Sequence, residues 1–326
     1  MWSGRTDVCL TDHEKAMLDG SHGAAKARAM DLLLRYGQAL GAERLVETNN
    51  VAGAFNASTP SVRALAARGF DAVYSELNLD SNDVVEVPRM AVNTCQLITG
   101  IDNAKWRIQG IPDDLAEQQK RGEAFFGQRG INMHATCTPY QVGNVPVLGE
   151  HCAWMESSAV VYCNSVLGAR TNTEGKESTG AAALTGRIPY WGFHLDINRR
   201  GTHLVEVAIP VEDIMDWGLL GYWLGEIVQD EIPVLTGALI RPMLIKLKHF
   251  GAAASSSGGV EMYHLPAPRL RRARWRRHSP ADRSPTHCTL GRRNAGVPTR
   301  TSIAQANARS TSSCSVARTI PSSRSG

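Results

Sequence analysis

The stretch DDLAEQQKRGEAFFGQRGINMHATCTPY, residues 113–140, indicates the fold class. Its first part predicts a helix from Asp113 to Gln128, and Gly130 can end that helix. The next residues predict a strand from Asn132 to Ala135, which places Cys137 in the loop just beyond the strand. A helix followed directly by a strand is one step of the helix–strand alternation from which parallel α/β sheets are built.

The same alternation continues on both sides of this stretch. Thr11 and Glu14 have the spacing of a capping box, which predicts the start of a helix. This first helix is predicted to end at Gly37. Two further helices are predicted, one from Thr59–Pro60 to Gly69 and one from Ser157 to Leu167. The remaining predicted strands are Arg44–Glu47, Ala72–Tyr74, Leu204–Ile209 and Val260–Tyr263. This rhythm predicts one α/β domain with a mostly parallel sheet over residues 1–264.

The residues after Tyr263 have a different composition. From Leu265 onward the chain carries 13 of its 35 basic side chains, all arginine, and one of its 31 acidic ones. The net charge is therefore +12 in this tail and −8 before it. Few large aliphatic residues remain to offset the entropy of ordering, so we expect residues 265–326 to be disordered and the sheet to be incomplete.

Two interpretations fit the tail. Arginine without lysine, mixed with Pro, Ser, Thr and Ala, is typical of a GC-rich reading frame read out of register, which favours a frameshift after Tyr263. Clustered arginine also neutralises phosphates, so the alternative is a nucleic-acid-binding arm.

The whole chain resembles neither a membrane protein nor a disulfide-bonded one. No run of 18 or more apolar residues is present, so we expect no membrane span and a cytoplasmic location. The cysteines are odd in number and widely spread, which favours reduced thiols; they are Cys9, Cys95, Cys137, Cys152, Cys163, Cys288 and Cys314.

Cys137 is the first candidate functional residue. It follows the carboxyl end of a predicted strand, and ligands of open α/β sheets bind at that edge. A thiolate there can hold iron or act as a nucleophile. The alternative is a small buried core residue, which is also how we interpret Cys95, Cys152 and Cys163.

Polar residues near the next predicted helix are further candidates. Glu156 and Ser157 lie at its start, where free N–H groups favour an anion, although Ser157 or Ser158 can equally be its N-cap. Arg170 and Asn172 follow the helix; the guanidinium can bind a carboxylate or phosphate, or be a surface charge. Glu150 and His151 are either an acid/base pair or loop residues with exposed side chains. Weaker candidates are the backbone N–H groups of the Val51–Gly53 loop, and Asn93.

Six short segments, in order, resemble the large, catalytic part of the aconitase X family. The segments are Leu10–Gly20, Thr136–Tyr140, Gly149–His151, Glu156–Ala159, Asn164–Asn172 and Leu184–Pro189. The resemblance covers about residues 8 to 264. It implies an aconitase-like fold of α/β/α layers and a dehydratase acting on a small hydroxy acid, such as cis-3-hydroxy-L-proline or mevalonate 5-phosphate.

The resemblance also implies a cofactor and a set of site residues. It implies an iron–sulfur cluster with Cys137 as the first of three thiolate ligands. It implies substrate contacts from Glu156 and Ser157, with Asn93 and Val51–Gly53 as weaker ones. Arg170 and Asn172 match a family motif and are assigned to anion binding or loop shaping.

The chain departs from the family pattern after Tyr263. Cys288 and Cys314 do not resemble the segments that carry the second and third cluster ligands, and the small swivelling domain, fused or a separate subunit in relatives, is not found. Our leading hypothesis is a truncated aconitase X large subunit, descended from a hydro-lyase, that does not hold the cluster alone and is inactive as this chain. The alternatives are a non-catalytic protein that binds nucleic acid through its tail, and an active enzyme whose site a second subunit completes.

The nucleotide sequence around codons 255 to 270 tests the frameshift. If the frameshift occurred, an alternative reading frame will encode a continuation with α/β periodicity. If neither alternative frame encodes such a continuation, the hypothesis is wrong.

Overall fold

The computed structural model describes residues 7–55 and 60–266, together with the backbone of residues 286–290. The described residues form two compact units that divide between Asn198 and Arg199. The alternation of helices and strands predicts one domain over residues 1–264, whereas the structure has two compact units within that range. Each unit has its own parallel sheet.

The first unit contains a four-stranded sheet in which all neighbours are parallel. The strand order is β4-β3-β2-β5, so β2 lies inside the sheet and every residue of it is buried. A separate antiparallel pair joins β1 to β6. The strands are β1 Leu45–Glu47, β2 Asn50–Gly53, β3 Asn93–Gln96, β4 Ile131–Asn132, β5 Cys152–Trp154 and β6 Arg187–Pro189.

The helices of the first unit cover the sheet. They are α1 Asp12–Leu18, α2 Ala24–Leu40, α3 Arg63–Ala67, α4 Phe70–Leu79, α5 Asp113–Gln128, α6 Ser157–Tyr162 and α7 Lys176–Thr185. A five-residue π-helical turn, Cys163–Leu167, continues α6 and ends at Gly168 in the left-handed conformation.

Helix α7 is the buried centre of this unit. All of its residues from Ser178 to Thr185 are buried. Small residues let its neighbours approach closely: a Cβ on Gly180 would lie 2.6 Å from the carbonyl oxygen of Asn78 in α4. The Asn78 amide in turn donates to the carbonyls of Ala54 (3.2 Å) and Lys176 (3.1 Å). One side chain therefore ties together the end of α4, the end of β2 and the start of α7.

The second unit is a smaller parallel α/β arrangement. Its strand order is β8-β7-β9, with β7 paired in parallel to both neighbours. Two helices pack closely against each other because α8 presents Gly221 and Gly225 to the backbone of α9. The elements are β7 His203–Val211, α8 Ile214–Val228, β8 Pro233–Leu239, α9 Leu244–Gly258 and β9 Thr286–Leu290.

Several sequence predictions are confirmed. The capping box closes in both directions, with the Thr11 N–H donating to the Glu14 carboxylate and the Glu14 N–H donating to the Thr11 hydroxyl. Helix α5 has the predicted bounds, Asp113–Gln128. The predicted strands at Arg44–Glu47 and Leu204–Ile209 correspond to β1 and β7.

Three local predictions are wrong. Ala72–Tyr74 lies within α4 rather than in a strand, since a short apolar run fits either structure until its partners are known. Helix α2 continues through Gly37 and ends at Leu40, and its C-cap residue is Gly41, whose φ of 72° suits glycine. The segment Val260–Tyr263 is buried but is not a strand; it is followed by a single bridge from His264 to Val234.

The predicted strand at Asn132–Ala135 is shorter than expected. Strand β4 covers Ile131–Asn132, and Ala135 has a positive φ of 52°, so the extended backbone ends before it. The expectation of disorder for residues 265–326 falls mostly outside the described residues. The structure does describe β9, Thr286–Leu290, within that range. Within the described part of the chain, we find no helix long and apolar enough to cross a membrane.

Replacing a contact glycine of α8 will destabilise the second unit. A Cβ on Gly221 would overlap the carbonyl oxygen of Phe250, so Gly221→Ala is expected to lower the free energy of unfolding by about 1–3 kcal/mol. Gly127→Ala in α5 is the matched control, because no atom lies within 4 Å of its added Cβ. The control is expected to stabilise by about 0.5–1 kcal/mol. Urea unfolding followed by circular dichroism measures both, and equal midpoints would contradict the close packing.

Candidate active site

The carboxyl edge of the first sheet positions Glu156. Strand β5 ends at Trp154, and two residues later Glu156 is the N-cap of α6. Its Oε2 atom accepts a hydrogen bond from the Ala159 N–H (2.9 Å) and one from the Ser158 hydroxyl (2.5 Å). The expectation that Ser157 or Ser158 is the N-cap is therefore wrong, because the longer glutamate side chain reaches the free N–H groups first. Ser157 follows as the first residue of the helix.

Cys137 lies at the same edge, in the loop after β4. It is exposed. The hydroxyl oxygens of Thr136 and Thr138, on either side of it, are 3.0 Å apart, and the Thr138 N–H donates to the Thr136 hydroxyl. These hydrogen bonds stabilise the turn that carries Cys137. Partial burial raises the pKa of the Cys137 thiol, and the carboxylate of Glu156 raises it further. Cys137 and Glu156 are thus close enough to interact electrostatically, and the thiol is neutral at pH 7.

Tyr140 adds a buried hydroxyl at the same edge, within electrostatic reach of Glu156. Its ring stacks on Tyr162, with centroids 3.9 Å apart. Burial raises its pKa, and so do Tyr162 and Glu156, so Glu156 is again within electrostatic reach. Among the described residues, its buried hydroxyl has no hydrogen-bond partner. A buried hydroxyl without a protein partner is uncommon, so this group marks Tyr140 as a candidate ligand contact.

The start of α7 completes this edge. The Glu174 N–H donates to the carbonyl of Trp154, the last residue of β5 (2.9 Å). Helix α7 begins two residues later at Lys176, so its start lies near the end of β5 and near Glu156. Burial lowers the pKa of Lys176, and Glu177 acts in the opposite direction. Sequence reasoning missed Lys176 and the role of Tyr140, because neither belongs to a periodic pattern and their position depends on segments far apart in the chain.

Gly53 lies where β2 meets α7. A Cβ on Gly53 would be 2.6 Å from the hydroxyl of Thr179, so glycine is required for this approach. Val51, Ala52 and Gly53 form strand β2 rather than a loop, and the Val51 side chain belongs to the apolar core. Of the three, Gly53 is the one at the carboxyl edge.

Asn93 lies at the opposite edge of the sheet. It begins β3 and is in register with Asn50, the first residue of β2. Its side-chain oxygen accepts a hydrogen bond from the Asn132 amide (3.0 Å). The structure therefore does not bring Asn93 together with Glu156 and Cys137.

Arg170 and Asn172 hold a neighbouring loop. The Arg170 guanidinium donates to the carbonyl of His194 (2.8 Å) and forms an ion pair with Asp196. The Asn172 side chain accepts from the Phe193 N–H (2.8 Å) and donates to the Trp191 carbonyl (3.3 Å). These contacts support loop shaping rather than anion binding for both residues.

Glu150 and His151 do not contact each other as an acid/base pair. The Glu150 carboxylate accepts from the Val147 N–H (2.7 Å), while Nδ1 of His151 lies 2.9 Å from Nδ1 of His194. Both residues line a cleft of about 470 Å³ that also includes Asn49 and Val92, the residues before β2 and β3. That cleft is at the amino edge of the sheet and does not include Cys137 or Glu156.

Comparison with family models identifies the class of protein. A model described as aconitase X first domain matches residues 7–197, and one described as aconitase X second domain matches residues 201–294. The two models meet where the structure divides into two units. The chain therefore belongs to the aconitase X family, and the second match continues past Tyr263.

Individual relatives are dehydratases. The phosphomevalonate dehydratase large subunit of Methanocaldococcus jannaschii is 36% identical over 261 residues, which are 78% of this chain and 62% of the relative. The cis-3-hydroxy-L-proline dehydratase of Hypocrea jecorina is 34% identical over 262 residues, 78% of this chain and 41% of the relative. The crystal structure of Thermococcus kodakaraensis aconitase X (holo-form) has a TM-score of 0.68 at 30% identity, covering 87% of this chain and 67% of that one.

The described residues do not by themselves fit the iron–sulfur cluster that the family implies. No group of three His, Cys, Asp or Glu side chains in the described part of the chain is arranged to hold a metal ion. Cys95, Cys152 and Cys163 are buried, and burial raises the pKa of Cys95 to about 11 although Asn144 donates to its sulfur. The Cys288 side chain and Cys314 lie outside the described residues.

Removing the carboxylate of Glu156 will make Cys137 more reactive. Glu156→Gln removes a negative charge that disfavours the thiolate, so the pKa of Cys137 falls and its alkylation by iodoacetamide at pH 8 is expected to rise about twofold to tenfold. Glu117→Gln, at an exposed position of α5, is the control. Peptide mass spectrometry resolves Cys137 from exposed Cys9, and an unchanged or slower rate at Cys137 would show that the two groups do not interact.

Proposed function

We propose that this chain supplies the substrate-binding side of an aconitase X hydro-lyase site at the carboxyl edge of its first sheet, and that it does not complete a dehydration alone. The observation that supports this proposal is the convergence of Cys137, Glu156 and the buried Tyr140 hydroxyl at one edge, from segments that follow different strands. The substrate class is a small hydroxy acid, as in the dehydratases of this family.

The residues at this edge suit a hydroxylated anion. The second carboxylate oxygen of Glu156, Oε1, makes no hydrogen bond among the described residues and can accept one from a substrate hydroxyl. The Ser157 and Tyr140 hydroxyls can donate to a carboxylate or phosphate oxygen. The partly buried ammonium of Lys176 adds positive charge to the same edge and helps to neutralise such an anion.

Dehydration requires a base that takes the proton next to the substrate carboxylate and a group that assists the departing hydroxyl. The Oε1 atom of Glu156 accepts no hydrogen bond among the described residues, and we assign it to hydrogen bonding with the substrate. The described thiols do not form a ligand set for an iron–sulfur cluster. That half of the chemistry requires residues beyond those described.

A second polypeptide is part of this proposal. The chain spans 62% and 61% of the lengths of the first two relatives, both of which are named large subunits. We infer that a small swivelling-domain subunit covers the site and completes it. For the alternative of nucleic-acid binding we find no supporting observation, since the arginine-rich residues lie outside the described ones and the matched relatives are named as dehydratases.

Binding without turnover is the expected behaviour of the purified chain. Isothermal calorimetry with cis-3-hydroxy-L-proline and with mevalonate 5-phosphate is expected to detect binding of one of them, and Glu156→Gln is expected to weaken it about 10- to 100-fold, the worth of a hydrogen bond to a charged group. Glu150→Gln is the matched control, because that carboxylate is held by Val147 at the other edge. Equal affinity in wild type and Glu156→Gln would overturn the site.

The same preparation tests the second half of the proposal. After anaerobic treatment with iron and sulfide, the chain alone is expected to show no stoichiometric cluster absorbance and no loss of water from either compound. Turnover by the chain alone would overturn the claim that another subunit is needed. Coexpression with a small-domain subunit of the family is expected to restore activity.

A further inference from the structure

Two histidine side chains meet at the amino edge of the first sheet. Nδ1 of His151, the residue before β5, lies 2.9 Å from Nδ1 of His194, and the ring centroids are 5.1 Å apart. His194 is completely buried, whereas His151 is half-buried and lines the cleft of about 470 Å³. At this distance the two nitrogens share a hydrogen bond, so one ring carries a proton on Nδ1 and the other does not.

This hydrogen bond limits the number of protons that the histidine pair, His151 and His194, can hold. A first added proton can bind Nε2 of the donor ring, because that ring keeps its Nδ1–H and the contact survives. A second added proton must bind Nδ1 of the acceptor ring. Two N–H groups would then point at each other across 2.9 Å, and both rings would be positively charged, so the contact cannot persist.

The charges around the histidine pair accommodate one added proton better than two. The Arg170 guanidinium, which is paired with Asp196, donates to the His194 carbonyl and places positive charge beside the buried ring. Glu150 precedes His151 and lines the same cleft, so its carboxylate favours the first proton. The other charged or titratable groups near the pair are Tyr190 beside His151, Arg44 over the Tyr190 ring, and His13, Lys26 and the ion pair of Glu47 with Arg187 in the lining of the cleft.

The histidine pair anchors the loop of residues 190–198, which follows β6. Two other side chains hold the same loop: Asn172 bonds to the backbone on either side of residue 192, and Arg170 donates to the carbonyl of His194. Neither an amide nor a guanidinium changes its charge between pH 5 and 8, whereas an imidazole does. Of these three anchors, the contact of His151 with His194 is therefore the one that responds to protons in that range.

We propose that the histidine pair is a proton-sensitive switch that holds the loop of residues 190–198 at neutral pH and loosens it in acid. This device is separate from the proposed substrate site, which lies at the other edge of the sheet. The folded pair resists the second proton more than the unfolded chain does, so the pKa of the acceptor ring is lowered on folding. The stability that the contact contributes is therefore present above the ordinary histidine pKa of about 6.5 and is lost as the pH falls below it.

Ring-nitrogen NMR of the full chain labelled with ¹⁵N-histidine tests the shared proton. At pH 8 one ring of the pair is expected to carry its proton on Nδ1, and between pH 8 and 4 the two rings are expected to titrate in separate steps. His151→Asn and His194→Asn each leave one ring, which is expected to titrate about one pH unit or more above the lower step of the pair. His249→Asn, at an exposed histidine of the second unit, is the control and is expected to leave both steps unchanged.

The response of the loop is measured on the same samples. The backbone amide signals of Phe193 and Leu195 are expected to shift or broaden between pH 7 and 5 in the wild-type chain. They are expected to change less than half as much in His151→Asn, because the asparagine oxygen can still accept a hydrogen bond from a protonated His194. Two rings that titrate in one common step, or loop signals that do not respond to pH, would overturn the proposal, and both are read from the wild-type chain even if a variant fails to fold. An equal response in His151→Asn would show that another group controls the loop.

Discussion

The amide of Asn78 holds the first unit together at the point where its chemistry is located. It bonds to the carbonyl after β2 and to the first carbonyl of α7, and it is completely buried. The bonds form only because Gly53 and Gly180 let β2 and α4 approach α7 closely. A larger side chain at either glycine would push the carboxyl end of β2 away from the start of α7. The relative position of Gly53, Lys176 and the neighbouring Glu156 therefore depends on this contact.

The parallel sheet separates the polar residues of this unit into two groups. Residues that follow strands, such as Cys137 and Glu156, collect at the carboxyl edge, where open α/β sheets bind ligands. Residues at or just before the start of a strand, such as Asn93 and His151, collect at the other edge. Chain order alone does not reveal this separation, because both groups alternate along the sequence. The second unit adds its own parallel sheet, and the two family models follow the same division of the chain.

Local patterns predicted the elements that local interactions determine. Helix α5 and the capping box at Thr11 depend on residues within a few positions of each other, and both were predicted correctly. The fold class and the family followed from alternation and from short segments near Cys137 and Glu156. The role of Arg170 was not accessible, because its partners are a carbonyl and a carboxylate more than twenty residues later. For the same reason, the short apolar run in α4 could not be distinguished from a strand.

The two oxygens of the Glu156 carboxylate have unequal environments. One is fixed by the Ser158 hydroxyl and the Ala159 N–H, so the side chain is already immobilised in a single rotamer. The other oxygen consequently has a defined direction before any small molecule arrives. Little conformational freedom remains to be lost at this residue on complex formation. The residue that caps α6 is thus also a preorganised hydrogen-bond acceptor. The direction of its free oxygen atom depends on the hydrogen bonds of the first turn of α6.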